Sequence, residues 1–278
     1  LLVWKDQWLK KPEVTLQIDE PGLVYGGVPY ETLRSYEKRL FAGKFHYERL
    51  LVSAAYLGMK LPMDYEQFRE TILQGMTNFD SDVSIRVLLL PRGVINAFKY
   101  ELHSSELVIY MDQLRTSPVV GKVKIRLSKI RKIDSQATPA DLKVVGRTDI
   151  LLAKSTKGDA YDVLMLGSKG QLCEGTFTNV FLVKKNLIIT PDLDSGILPG
   201  ITRKNVIGLC RSLGINVEER KVDPSELYEA DEVFLTHTSR GVVPVDELDD
   251  SRKYSKSLGY LLSQRFEDYI KSVEENWV

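Results

Sequence analysis

The spacing of apolar positions changes several times along this chain, and each change predicts an element. His46, Leu50, Leu51, Ala54, Ala55 and Leu57 recur at three- and four-residue intervals, which predicts a helix from Lys44 onward. Asp64 is placed to cap a second helix running to Met76. Val83 to Leu90 and Leu107 to Met111 read as strands. Upstream, residues 1 to 34 read as short strand-like runs parted by turns. Val3-Trp4 precedes a Lys5-Asp6 turn, Pro21-Gly22 is a break, and Leu23 to Arg34 is a strand with a bulge at its paired glycines. Downstream, Val119 to Leu127 reads as a strand, and a helix containing Ile150 to Ala153 is expected behind a Thr148 or Asp149 cap. Val180 to Val183 and Leu187 to Thr190 are strands around a Lys184-Lys185-Asn186 turn, and Arg203 to Leu213 is helical. An apolar run ending at Leu235 passes into Thr236-His237-Thr238-Ser239. The chain closes on a helix from Tyr254 to Val273 with Leu258, Leu261, Leu262, Phe266 and Tyr269 on one face. The pattern divides into a smaller α/β domain at 1–111, a polar, proline-ended linker at 112–118 and a larger domain at 119–278.

Composition narrows the function classes. At 278 residues and 43% hydrophobic, the chain can bury a full core. Lys plus Arg equals Asp plus Glu at 38 each, so no net field draws it to nucleic acid or anionic lipid. No apolar run approaches the ~18 residues of a membrane span. The opening LLVWKDQWLKK is too short in its apolar part and too interrupted by charge to read as a signal peptide. Cys173 and Cys210 have no CxxC spacing and are expected to be reduced thiols of a cytoplasmic protein. His46, His103 and His237 lie far apart, so no metal site is expected.

The chemistry concentrates between Glu174 and Arg203, EGTFTNVFLVKKNLIITPDLDSGILPGITR. An acid stands at the mouth of a strand. Gly196, Gly200 and Thr202 then lead directly into a helix, and glycines, a hydroxyl and a helix start together make an anion pocket. A carboxylate nearby can neutralise a cationic ring. EGTFTNVFLV followed by GILPGITR resembles the signature of fold-type IV pyridoxal-phosphate enzymes. That group holds branched-chain aminotransferases, D-amino acid and (R)-amine transaminases and aminodeoxychorismate lyases. The resemblance implies an α/β (α+β) fold, with a small N-terminal domain and a large C-terminal domain with a barrel-like β core. It also implies pyridoxal 5'-phosphate between the domains, and a homodimer.

Residue roles follow from the same resemblance. Leu142-Lys143, then Ile150-Leu151-Leu152-Ala153-Lys154, reproduces the order of a catalytic lysine ahead of a helix. Lys143 is therefore chosen over Lys154 to hold the cofactor as a Schiff base and to shuttle the proton. Glu174 is expected at the ring nitrogen, with Ile201, Thr202 and Thr238 at the phosphate. An arginine on a helix is ordinarily solvated, but HYERL resembles the family segment whose arginine grips the phosphate, which points to Arg49. GVPYETLR resembles a wall of the substrate side, making Tyr25 and Tyr30 pocket candidates. Arg86 resembles an arginine at the substrate entrance. Arg92 resembles, with a one-residue slip, the carboxylate trap of D-amino acid transaminases. Ser239 falls where the family offers donors to a substrate carboxylate. One departure stands out: Gly146-Arg147-Thr148 occupies the place of the usual tyrosine, closer to the lyase pattern, so Arg147 is expected to orient the ring oxygen. The implied activity is amino transfer between a branched-chain-like or D-amino acid and a 2-oxo acid such as 2-oxoglutarate. The alternative is a lyase releasing pyruvate from aminodeoxychorismate.

Overall fold

The computed structural model describes residues 2–10, 15–96, 98–114 and 122–277. The chain divides into two compact units, and neither is a single stretch of sequence. The first takes Leu1–Arg115, Asp141–Gly146 and Glu274–Val278, and the second takes Thr116–Ala140 and Arg147–Val273. This corrects the expected contiguous division: the segment carrying Lys143 belongs with the N-terminal part. Of the expected linker, Asp112 and Gln113 lie within a strand, and 115–118 fall outside the described residues. So do 119–121, the first part of the strand expected from Val119.

The first unit is built on a seven-stranded sheet whose pairings are all antiparallel. Its order is Trp8–Lys10, Leu2–Trp4, Tyr100–Gln113, Val83–Ile95, Val28–Tyr36 and Arg39–Leu40, with Val144–Val145 pairing the start of Val28–Tyr36. Two long strands were expected shorter, because beyond Leu90 and before Leu107 their residues are largely solvated and the apolar alternation fades. Along Val83–Leu89 alternate residues are buried, and Ile85, Val87 and Leu89 meet Leu50, Phe68 and Ile72 from two helices in one core. Those helices are Gly43–Tyr56 and Tyr65–Met76. The second starts at the expected Asp64 cap, which accepts from Gln67 N at 2.9 Å while the Gln67 side chain returns the bond. The first buries His46, Leu50, Ser53 and Ala54, whereas Leu51 is left exposed, so two polar residues stand on the inward face. Pro21–Val24 is a short helix rather than a break or strand. Gly26 and Gly27 follow it with φ of 74° and 65°, and the strand begins only at Val28.

In the second unit the barrel-like core is made by two five-stranded sheets that share one apolar cluster, including Ile125, Leu164, Leu182, Ile189, Val233 and Val243. Lys124–Arg131 runs parallel to Asp162–Leu166 in the first sheet, and Leu187–Pro191 runs parallel to Asn216–Arg220 in the second. Parallel neighbours need a crossover. The helices Thr148–Ser155 and Ile201–Ser212 supply the two crossovers, and their N-termini carry candidate residues. Thr148 and Asp149 do not cap the first of these. Arg147 is its cap residue, without a side-chain cap bond, and Asp149 is turned to other partners. The C-terminal helix spans Ser257–Ser272 and buries Gly259, Leu262, Phe266 and Ile270, leaving Leu261 exposed.

Candidate active site

In the first unit the sheet register sets the site. Thr32 pairs with Arg86, which puts Tyr30 diagonally beside Arg86 on one face. The Arg86 guanidinium carbon lies 4.5 Å from the Tyr30 ring centre. Tyr30 N donates to Lys143 O at 3.0 Å, and Lys143 N donates to Ser53 Oγ at 3.0 Å. The lysine is thus held through its own backbone on both sides. Its Nζ lies 4.5 Å from the Tyr30 ring centre, a cation on an aromatic face. Tyr30, Arg86 and Lys143, far apart in sequence, are brought together.

Glu31, one residue along, points to the opposite face and is fully buried. It meets His46 and Arg49, which share one helix face three residues apart. Arg49 forks onto it, Nε to Oε1 and Nη2 to Oε2, both at 2.7 Å, and His46 Nδ1 lies 2.7 Å from Oε2. Burial pushes the Glu31 carboxyl up, but the Arg49 charge and the hydrogen bonds from Arg49 and His46 outweigh it and hold the carboxyl below its ordinary range. Burial draws His46 down, aided by the Arg49 and Lys143 charges, so it is neutral near pH 7. Nδ1–H then donates to Glu31, and Nε2 is left buried without a hydrogen-bond partner.

Two other candidates of this unit are not part of that group. Tyr25 follows the short helix and is 56% exposed. Arg92 lies against Glu20 and Glu106, with its Nε 2.8 Å from the latter, so its fork is engaged by two carboxylates and the expected carboxylate-trapping role is not supported.

In the second unit Glu174 lies in the strand Leu172–Gly175 and is buried. Its Oε2 accepts from Asn179 Nδ2 at 2.9 Å and from Leu198 N at 3.0 Å, and its Oε1 meets Lys132 Nζ. The loop after Glu174 is tied to Asp162, which accepts from Thr176 N at 3.0 Å, Thr176 Oγ1 at 2.6 Å and Thr178 Oγ1 at 2.7 Å. Burial raises the Asp162 carboxyl despite these bonds. A side chain at Gly175 would strike Asp162 Oδ2 at 2.1 Å, and one at Gly200 would strike Asn179 Oδ1 at 2.0 Å. Both glycines of the motif are there for close approach.

Gly200 leads into the helix Ile201–Ser212, whose first N–H groups have no partners within the helix. Thr202 is 3% exposed, and its Oγ1 is buried with no hydrogen-bond partner. A buried hydroxyl left unpaired beside a helix N-terminus suits a phosphate, so the residues present fit pyridoxal phosphate. Thr238 and Ser239 lie in the turn after the strand Glu232–His237, which pairs with the strand of Asn179. Burial pushes the Tyr161 phenol up to about 12, so it stays protonated, and its Oη lies in hydrogen-bond contact with His237 Nε2 at 2.6 Å beside that turn. Arg147 forks onto Asp149 at 3.0 and 2.7 Å, and Asp149 also accepts from Ile133 N at 3.0 Å. Lys154 sits on its helix with Nζ 5.8 Å from the Phe177 ring centre. Lys132, Glu31 and Ser53 carry no signal of their own in the sequence: Lys132 sits in a basic tract, Glu31 in an alternating strand, and Ser53 is a lone hydroxyl in an apolar helix run.

The amino-transferase class IV family pattern matches residues 29–248. A "probable branched-chain-amino-acid aminotransferase" of Thermotoga maritima is 41% identical over 281 residues, covering 100% of this chain and 99% of that protein. The D-alanine aminotransferase of Bacillus licheniformis is 29% identical over 258 residues, covering 91% and 89%. The crystal structure of the branched-chain amino acid aminotransferase of Thermobaculum terrenum in its PLP form superposes with a TM-score of 0.88 at 25% identity, covering 99% of this chain and 96% of that one. The match runs through the Tyr30 strand, the lysine segment and the Glu174 to Thr238 elements alike, and this chain belongs to the class IV aminotransferases.

Proposed function

We propose that this aminotransferase uses pyridoxal 5'-phosphate to move an amino group between a branched-chain L-amino acid and 2-oxoglutarate. The observation that carries the reading is Lys143, fixed through its backbone by Tyr30 and Ser53 with its amine laid on the Tyr30 ring. When bound, the cofactor supplies the electron-withdrawing ring that acidifies the substrate α-carbon and carries nitrogen between the two substrates. Lys143 would hold the cofactor at its aldehyde carbon and, acting as general base and then acid, would move a proton between the substrate α-carbon and the cofactor C4′. Glu174 would meet the ring nitrogen. Thr202, the N–H groups of Ile201 and Thr202, Thr238 and Arg49 would hold the phosphate. Arg49 suits that task because Glu31 fixes the plane of its guanidinium.

Arg86 and Tyr30 bound the substrate side, with Ser239 offering a donor to the substrate carboxylate. Arg147, which resembles the lyase pattern, is forked onto Asp149 as Arg49 is onto Glu31, and would orient the ring oxygen in either reaction. Relatives with branched-chain names favour that substrate class over D-alanine. The family resemblance supports a homodimer, and the two unlinked, buried thiols support a reducing, cytoplasmic setting.

The test is to incubate the protein with 2-oxoglutarate and either L-leucine or D-alanine and to follow glutamate formation. L-leucine turns over faster on this reading. Faster turnover of D-alanine overturns the substrate assignment, and pyruvate release from aminodeoxychorismate without an acceptor overturns amino transfer. Lys143→Ala is expected to lose about 10²–10⁴-fold in turnover and to lose borohydride-fixable cofactor. Retention of both sinks the lysine assignment.

A further inference from the structure

Lys132 is the first residue after the strand Lys124–Arg131, in a tract where Lys129 and Arg131 are exposed. Its own side chain is 4% exposed. Lysine is almost never buried without a counter-charge, and here the ammonium meets Oε1 of Glu174. The placement is built in. Lys132 N donates to Leu166 O at 2.9 Å, and the next amide, Ile133 N, donates to Asp149 Oδ2 at 3.0 Å, so the backbone is fixed on both sides of the lysine's Cα. The two carboxylate oxygens of Glu174 carry different loads. Oε2 takes the Asn179 and Leu198 N–H groups, and Oε1 takes the ammonium and has acceptor capacity left.

We propose that Lys132 is a positioning residue that keeps Glu174 an anion and holds the shared proton on the cofactor's ring nitrogen rather than on the carboxylate. This rests on the assignment of Glu174 to that nitrogen. Without a cofactor, the ammonium supplies the counter-charge that makes a buried carboxylate tolerable. With the cofactor present, one proton can sit on the ring nitrogen or on Glu174. Coulomb attraction falls with distance, so a cation touching the carboxylate stabilises negative charge there more than it repels a proton farther off on the ring. Lys132 thus biases the proton toward the ring without touching the substrate. Asn179 and Leu198 N–H set the direction of the carboxylate, and Lys132 sets its charge.

Two measurements on the loaded enzyme test this. Borohydride reduction followed by peptide mapping locates the covalent lysine. A label on Lys143 agrees with the proposal, and a label on Lys132 overturns it by making Lys132 the reacting amine. No retained cofactor overturns the underlying pyridoxal-phosphate reading instead. The second measurement is the ¹⁵N resonance of cofactor labelled at the pyridine nitrogen, bound to the wild type, Lys132→Met, Lys132→Gln and Lys132→Arg. The neutral variants are expected to move the resonance toward the unprotonated position and to weaken cofactor binding by about tenfold or more, the usual cost of losing a partner that orients a ligating group. Lys132→Arg is expected to restore the wild-type resonance. If either folded neutral variant keeps that resonance, the proposal fails. Should Lys132→Met not fold, Lys132→Gln decides.

Discussion

Glu31 pairs its single charge with two neighbours inside the first unit, and the pairing has a measurable pH signature. Its carboxyl titrates lower in the fold than its ordinary value of 4.5. The stabilisation is therefore complete above about 4.5, where the unfolded chain is also ionised, and is lost as pH falls through the lower folded value. Glu31→Gln leaves the Arg49 side chain, 10% exposed, against a neutral amide and is expected to cost about 3–5 kcal/mol at pH 7. Urea unfolding as a function of pH checks this: the gap to wild type should narrow below about 4.5, and a pH-independent gap refutes the charge pairing. HYERL carries a family pattern that singles out Arg49, but nothing in the sequence marks its partner. A glutamate in an alternating strand reads as solvent-facing, and only the register with Val87 shows that it points to the helices. Lys132 escaped notice for the same reason, sitting in a basic tract whose other members are exposed.

At the scale of elements, the sequence located the longer helices and the strands with strong apolar runs, and passed over short strands such as Val144–Val145 and Glu247–Leu248. It missed where a polar residue occupies the buried side, as Ser53 does on the helix Gly43–Tyr56. The motif glycines read as part of an anion pocket, and that reading said nothing of their steric duty. Gly200 leaves room for the Asn179 amide, which in turn holds Glu174. Gly200→Ala would place a Cβ 2.0 Å from Asn179 Oδ1, so Asn179 must move. The expected result is about 1–3 kcal/mol lower stability and weaker cofactor binding, measured together by thermal unfolding and by titration with pyridoxal phosphate. Wild-type cofactor affinity in this variant would show that Asn179 is not what keeps Glu174 in place.

At the scale of the whole molecule, the interleaved path of the chain has consequences that no local pattern announces. The last segment, from Glu274, belongs to the first unit, where Asn276 O accepts from Ala42 N at 2.7 Å and Trp277 lies against Phe41 and Arg39. Removing Glu274 onward is expected to lower the stability of the first unit by about 2–4 kcal/mol. Hydrogen exchange reads this directly: amides of Gly43–Tyr56 should lose protection while those of Ile201–Ser212 keep theirs. Equal loss in both helices would refute the division. The same threading governs Lys143, which Ser53 grips across a sequence separation of 90 residues. Closing a loop of that size is slow and comes after local contacts have formed. During refolding, the Ser53–Lys143 contact is therefore expected to form among the last, so the backbone that carries this lysine is fixed only once distant parts of the first unit have met.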